Sequence, residues 1–200
     1  KLQSLEQRDT ELQRLNSELQ KLESELRKIG KELSDARRKT IPKLSKAVVK
    51  QLNDLGFERS HFDVSIETAN EIATATSSGW DTIEFQFAPN VGEPARPLRA
   101  IASSGEMSRV MLALKTALAL QDAIPLLVFD EIDANVGGET AGVVGEKMRQ
   151  IAEQHQVICI THLPAVAASA SAHYLVRKEV SDGRTISKIE LLEPSERVAE

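Results

Sequence analysis

Two hundred residues hold one ordinary domain, or a domain with an appendage. The composition is 41% hydrophobic and 28% charged with a net charge of -5, which fits a globular chain and excludes collagen-like, mucin-like and wholly disordered classes. With only 4% aromatics the core is expected to be aliphatic, no apolar run approaches the roughly 20 residues that span a bilayer, and a single cysteine, Cys159, leaves no internal disulfide and fits a reducing cytoplasm.

Residues 1–40 carry 10 Lys/Arg and 8 Asp/Glu, so the remaining 160 carry 15 and 22. The body is acidic, and bulk charge advertises no nucleic-acid surface; contact with DNA would need a local basic patch. In the first forty residues Leu5, Leu12, Leu19, Leu26 and Leu33 recur every seven positions, and Leu15, Leu22, Ile29 and Ala36 follow the later ones by three. This a/d seam predicts a coiled-coil strand over 1–41. One such helix cannot bury its own leucine stripe in water. Two partners are open: a plain dimerisation zipper, or the other strand of an antiparallel hairpin lying upstream.

Pro42 predicts a kink or a new helix start. A second amphipathic stretch, with Leu44, Val48, Leu52 and Leu55, stops at Gly56. The period then changes to two. Phe62, Val64 and Ile66, and later Ile83, Phe85 and Phe87, alternate with polar residues and predict two half-buried antiparallel strands. Residues 89–97 read as a loop. Further on, 106–121 and 139–153 have helical periodicity. The apolar runs 126–129 and 157–160 read as strands buried on both faces. Strand, helix, strand in this order predicts a parallel crossover. Residues 174–180 and 185–192, joined through the Asp-Gly pair at 182–183, predict a closing hairpin, and Pro194 a final helix.

Three short motifs carry chemistry. The apolar strand Leu126–Phe129 ends in Asp130 and Glu131, two carboxylates at the carboxyl edge of a parallel sheet, where ligands bind. One carboxylate can hold Mg2+ through its water shell while the next activates an attacking water; the plain alternative is a strand ending in polar loop residues. Ser103, Ser104, Gly105 and Glu106 open a long helix. Its free amides make an anion site, or Ser103 and Glu106 simply form a capping box. The strand at 157–160 ends in Thr161 and His162, and His162 is either structural or a donor to a phosphate oxygen.

The order and spacing of the three are more specific than any one. The Asp-Glu strand follows the Ser/Gly helix start by about 25 residues, and the strand-His follows by about 30 more. With these residues in place the sequence resembles the ABC-type ATPase superfamily. Ser103-Ser104-Gly105-Glu106 is similar to its signature, Asp130-Glu131 to Walker B with the catalytic Glu, residues 132–135 to the D-loop, and His162 to the switch histidine. The coil narrows the resemblance to the SMC-like branch. The wording at 104–115 (SGEMSRVMLALK), 128–141 (VFDEIDANVGGETA) and 161–170 (THLPAVAASA) is similar to the DNA-repair ATPases of that branch.

The resemblance implies an α/β fold. It would be the C-terminal lobe of an ABC-type ATPase head, with a parallel sheet, flanking helices and antiparallel strands over 42–200, and an N-terminal coiled-coil helix over 1–41. It implies ATP and Mg2+ as cofactors, with Asp130 supporting the metal through water, Glu131 polarising the hydrolytic water and His162 sensing the gamma-phosphate. Asp133 would act across a dimer interface. Ser103, Ser104, Gly105 and Glu106 would bind a nucleotide held by the opposite head. Family signatures place two glycines after the first serine. Here the first of them is Ser104, whose side chain would crowd the nucleotide or demand a different backbone angle.

No G-x-x-x-x-G-K-[ST] loop is present; the only Gly-Lys pair is Gly30-Lys31, inside the coil. With a chain that starts at Lys1 and an arm lacking its second strand, this predicts a fragment whose phosphate-cradling loop comes from an N-terminal half. The implied function is ATP-driven head dimerisation coupled to DNA binding or tethering in double-strand break repair and recombination. The implied partners are that N-terminal half, a second identical head and DNA, in the bacterial cytoplasm at the nucleoid and not at a membrane. The alternatives are a non-catalytic coiled-coil interaction module, or another SMC-family head.

Overall fold

A computed structural model describes residues 2–69, 71–119, 121, 123–134, 136–181 and 184–197. The chain divides into two compact units: Lys1–Lys46 with Phe62–Gln86, and Ala47–His61 with Phe87–Glu200.

The first unit is built on helix α1, which runs from Leu2 to Asp54, about 80 Å at 1.5 Å per residue. No new helix starts at Pro42, which lies inside α1. Proline removes the amide that would bond the carbonyl of Arg38. Arg38 is exposed, so water can take that bond while the turns on either side keep theirs. From Leu12 to Leu33 the heptad stripe lies on the surface, 38–62% exposed; the side chain of Leu5 lies outside those described.

Strands β1 (His61–Thr68) and β2 (Asp81–Ala88) follow the period-two pattern. The amide of Ala69 donates to the carbonyl of Trp80, and the Ser65 hydroxyl to that of Glu84. Partners that fall as their mates rise mark an antiparallel pair. Phe62 packs against Phe85 at 5.7 Å. The arm is fastened to this hairpin at Gly30, where an added Cβ would lie 2.2 Å from the Trp80 ring. One helical turn on, the Asp81 carboxylate, whose side chain is wholly buried, accepts from Ser34 and Thr68 at 2.7 Å and from Arg37 at 2.8 Å. Burial works to raise this carboxyl. The bonds from Thr68, Arg37 and Ser34 outweigh it and hold the group below its usual range.

In the second unit the last turns of α1 bury Val48 and Leu52, and Gly56 at φ +87 turns the chain out of the helix. Phe57 meets Phe87 edge to face at 5.4 Å. Helices α2 (Ser104–Leu118) and α3 (Gly138–Ala152) contribute Val110, Leu112, Val144 and Ile151 to an aliphatic core. The buried Lys147 ammonium donates to Gln51 and, at 2.7 Å, to Asp54. Strands β4 (Leu126–Phe129) and β5 (Gln156–Cys159) pair in parallel, Leu126 with Gln156 through Phe129 with Cys159, across the α3 crossover.

These two strands are not buried on both faces. Leu127 and Phe129 are buried, whereas Leu126, Val128, Ile158 and Ile160 are 44–60% exposed. Among the described residues β4 and β5 form a two-stranded sheet, α3 packs on β5, and the second apolar face stays exposed. Within the loop at 89–97, Arg96–Pro97 forms a short strand β3, in the order β1-β2-β3. Helix α4 (Pro164–Ala167) is a single turn packed on α3. Strands β6 (Tyr174–Ser181) and β7 (Arg184–Leu191) form the closing antiparallel hairpin; its Asp-Gly pair at 182–183 lies outside the described residues. Residues 194–197 make a turn, not a helix.

Candidate functional site

The parallel register decides what stands beside what. The ladder extends one residue past the strands, with the Ile160 amide donating to the Phe129 carbonyl at 2.9 Å. Asp130-Glu131 and Thr161-His162 therefore leave the sheet at the same carboxyl edge. Asp130 and Glu131 are exposed. Glu131 has φ +54, the one left-handed non-glycine backbone among the described residues; such a conformation costs about 1–2 kcal/mol and persists only where neighbours hold it.

Those neighbours come from α2. Ser103 is its N-cap and accepts from the Glu106 amide at 3.3 Å, so the capping box expectation holds for the serine. Ser104 is already helical and therefore needs no glycine backbone angle. Its hydroxyl donates to the Glu131 carboxylate. One turn on, the Ser108 hydroxyl donates to the Asp130 carbonyl and Arg109 to the Ala134 carbonyl, both at 2.8 Å. Gly105 makes this possible: an added Cβ would meet the Ala134 Cβ at 2.8 Å and the Glu131 carbonyl oxygen at 3.2 Å. Ser108 and Arg109 belong to the same sequence motif, which by itself gives them no role. The signal available was their spacing, four residues after Ser104 and Gly105 on the same helix face.

Asp133 is buried, 3% exposed. Its carboxylate accepts from the Thr161 hydroxyl, from the His162 amide at 3.0 Å, and lies 3.2 Å from His162 Nδ1. Burial acts to raise this carboxyl, and those bonds, Thr161 first, hold it below its ordinary value. The side chain faces inward, and its neighbour Asn135 lies outside the described residues. The His162 side chain is 74% exposed and projects from the edge with its backbone and ring tied to Asp133. Cys159, behind this edge, is pushed up to about 11 by burial and by the Asp133 and Asp130 charges, so its thiol stays protonated and unreactive near neutral pH. Among the described residues no group of three or more His, Cys, Asp or Glu side chains forms a metal cage.

No family model matches the chain. It is 39% identical over all of its 200 residues to the DNA repair protein RecN of Xylella fastidiosa (strain 9a5c). It is 49% identical over 137 residues, 67% of this chain, to the RecN of Treponema pallidum (strain Nichols). The chain is RecN-like along its whole length. It spans 36% of the Xylella RecN and 24% of the Treponema one. Among solved structures it matches the Smc head domain with a coiled coil and joint from Pyrococcus yayanosii, with a TM-score of 0.59 at 20% identity over 86% of this chain and 31% of that one. The fold is that of an SMC-type head lobe with its coiled-coil helix, the α/β architecture that the resemblance implies.

Proposed function

We propose that this RecN-like chain is one lobe, with one arm strand, of an SMC-like ATPase head that acts in DNA double-strand break repair and recombination. The observation that carries this reading is the convergence of Asp130, Glu131 and Thr161-His162 at one sheet edge, against the first turns of α2. Residues 1–41 are read as the returning strand of an antiparallel arm and 42–200 as the C-terminal lobe. The exposed leucine stripe supports a missing helix partner.

The donor chemistry fits Mg-ATP. Asp130 offers an exposed hard oxygen, which suits a Mg2+ that keeps its waters and phosphate ligands. Bound ATP supplies the phosphoryl group whose hydrolysis drives the cycle. The chain's own part is limited and specific. Asp130 would hold the metal through water, Glu131 would accept a proton from the attacking water, and His162, steadied by Asp133, would donate to a phosphate oxygen. Ser103, Ser104, Gly105 and Glu106 present amides and hydroxyls to a nucleotide held by the second head. The phosphate-cradling loop comes from an N-terminal lobe, so this chain by itself turns over no ATP. The partners are that lobe, a second copy of the head, and DNA. No described helix is long and apolar enough to cross a membrane.

Mixing the chain with the N-terminal lobe of its own protein and measuring Mg-ATP hydrolysis tests the reading. Turnover is expected only from the mixture. Hydrolysis by this chain alone, or none from a mixture that demonstrably assembles, overturns it, the latter in favour of a non-catalytic coiled-coil module.

A further inference from the structure

Ser104 stands where the resembled signature has glycine, and the structure shows where its side chain goes. Its hydroxyl donates to Oε2 of Glu131 in the same chain. The contact is built on both sides. Gly105 lets α2 approach the 131–134 turn to contact distance. Ser108 and Arg109 fix that turn through the carbonyls of Asp130 and Ala134. Glu131 itself has a left-handed backbone, at φ +54.

We propose that Ser104 is a positioning residue that latches Glu131 against the signature helix of its own head, and that the latch opens when Ser104 turns to a phosphate presented by the opposite head. The inference rests on the reading of Glu131 as the group that polarises water. A serine hydroxyl has one proton to donate. While that proton is given to Glu131 it is not available to a phosphate oxygen, and the carboxylate is held against α2 instead of turned towards a water. An anion at the N-terminus of α2 competes for the same proton, and its arrival releases the carboxylate. Filling one composite site thereby frees the base of the neighbouring one. A glycine at position 104 cannot make this link, so the departure from the signature becomes a coupling element.

Two measurements test it. In the nucleotide-free chain, the side-chain carboxyl carbon resonance of Glu131 shifts in Ser104→Ala and returns towards wild type in Ser104→Thr, which keeps the hydroxyl. In the assembled head, at dilutions where heads do not engage, Ser104→Ala and Ser104→Gly raise kcat for ATP on the order of tenfold, the weight of one hydrogen bond to a charged group. Ser104→Thr restores the low rate. An unmoved resonance, a dilute-head kcat equal to wild type, or a Ser104→Thr variant that behaves like Ser104→Ala overturns the latch. Glu131→Gln, run in parallel, separates the failures. If Glu131→Gln hydrolyses ATP at the wild-type rate, the reading of Glu131 falls. If it is inactive while the Ser104 variants match wild type, the latch alone falls.

Discussion

One missing Cβ lets the start of α2 touch the loop after β4. In Gly105→Ala the new methyl would lie 2.8 Å from the Ala134 side chain and 3.2 Å from two backbone oxygens, neither of which is a flexible side-chain end. The strain should cost about 1–3 kcal/mol, read as a lower Tm, and should pull Ser104 away from Glu131. Asp81 illustrates a different constraint. Its carboxyl is held below the ordinary value by three donors against the opposing effect of burial. A depressed folded pKa contributes stability that is present above the unfolded value, about 3.9, and is lost as pH falls through the folded one. Denaturation midpoints measured from pH 6 downward should therefore drop below about pH 4. The drop should be shallower in Asp81→Asn, which starts less stable at neutral pH because Arg37 loses a charged partner. The neighbouring roles of Ser34, Thr68 and Arg37 are not visible in sequence, since they lie 47, 13 and 44 positions from Asp81.

Among the elements, α1 shows how far periodicity reaches. The seven-residue repeat marks the arm and its apolar stripe, and the stripe is on the surface. On the proposed reading, replacing Leu19 and Leu26 by Ala should weaken pairing of the arm with a second helix, by roughly 2–5 kcal/mol per leucine for fully covered sites. The far-UV helix signal and stability of the head lobe should stay unchanged; an equal loss of stability in the lobe would contradict a purely arm-borne role. At Pro42 the expected new helix start does not occur: the proline lies inside α1, where the carbonyl it leaves unbonded belongs to an exposed residue. The strands mislead for another reason. A continuous apolar run says that both faces avoid water, but it does not say which of them the described residues cover. In β4 Leu127 and Phe129 are buried, and Leu126 and Val128 are exposed.

For the molecule as a whole, the proposed reading makes the chain one of two interdependent lobes, and its sharpest consequence lies in assembly. In the assembled head, Glu131→Gln should leave ATP binding intact, slow hydrolysis by orders of magnitude and accumulate ATP-dependent head dimers, measured by size-exclusion chromatography with light scattering. Dimers that disappear at the wild-type rate would show that Glu131 is not the base. The carboxylates and His162 were legible because strand ends concentrate polar residues at a ligand-facing edge, and because their order along the chain is itself a pattern. The order of the strands, the parallel crossover and the closing hairpin followed from alternation and apolar runs. Periodicity, the Asp130-Glu131 edge, the missing phosphate loop and the placement of His162 are properties of local pattern, and the amino-acid sequence determines them. The tertiary structure alone decided that Ser104 reaches Glu131, that Ser108 and Arg109 grip the loop carbonyls, and that Asp133 turns inward to Thr161 and His162. Each of these joins residues 22 to 29 positions apart, and such pairings exist only once packing has brought α2 and the sheet edge together.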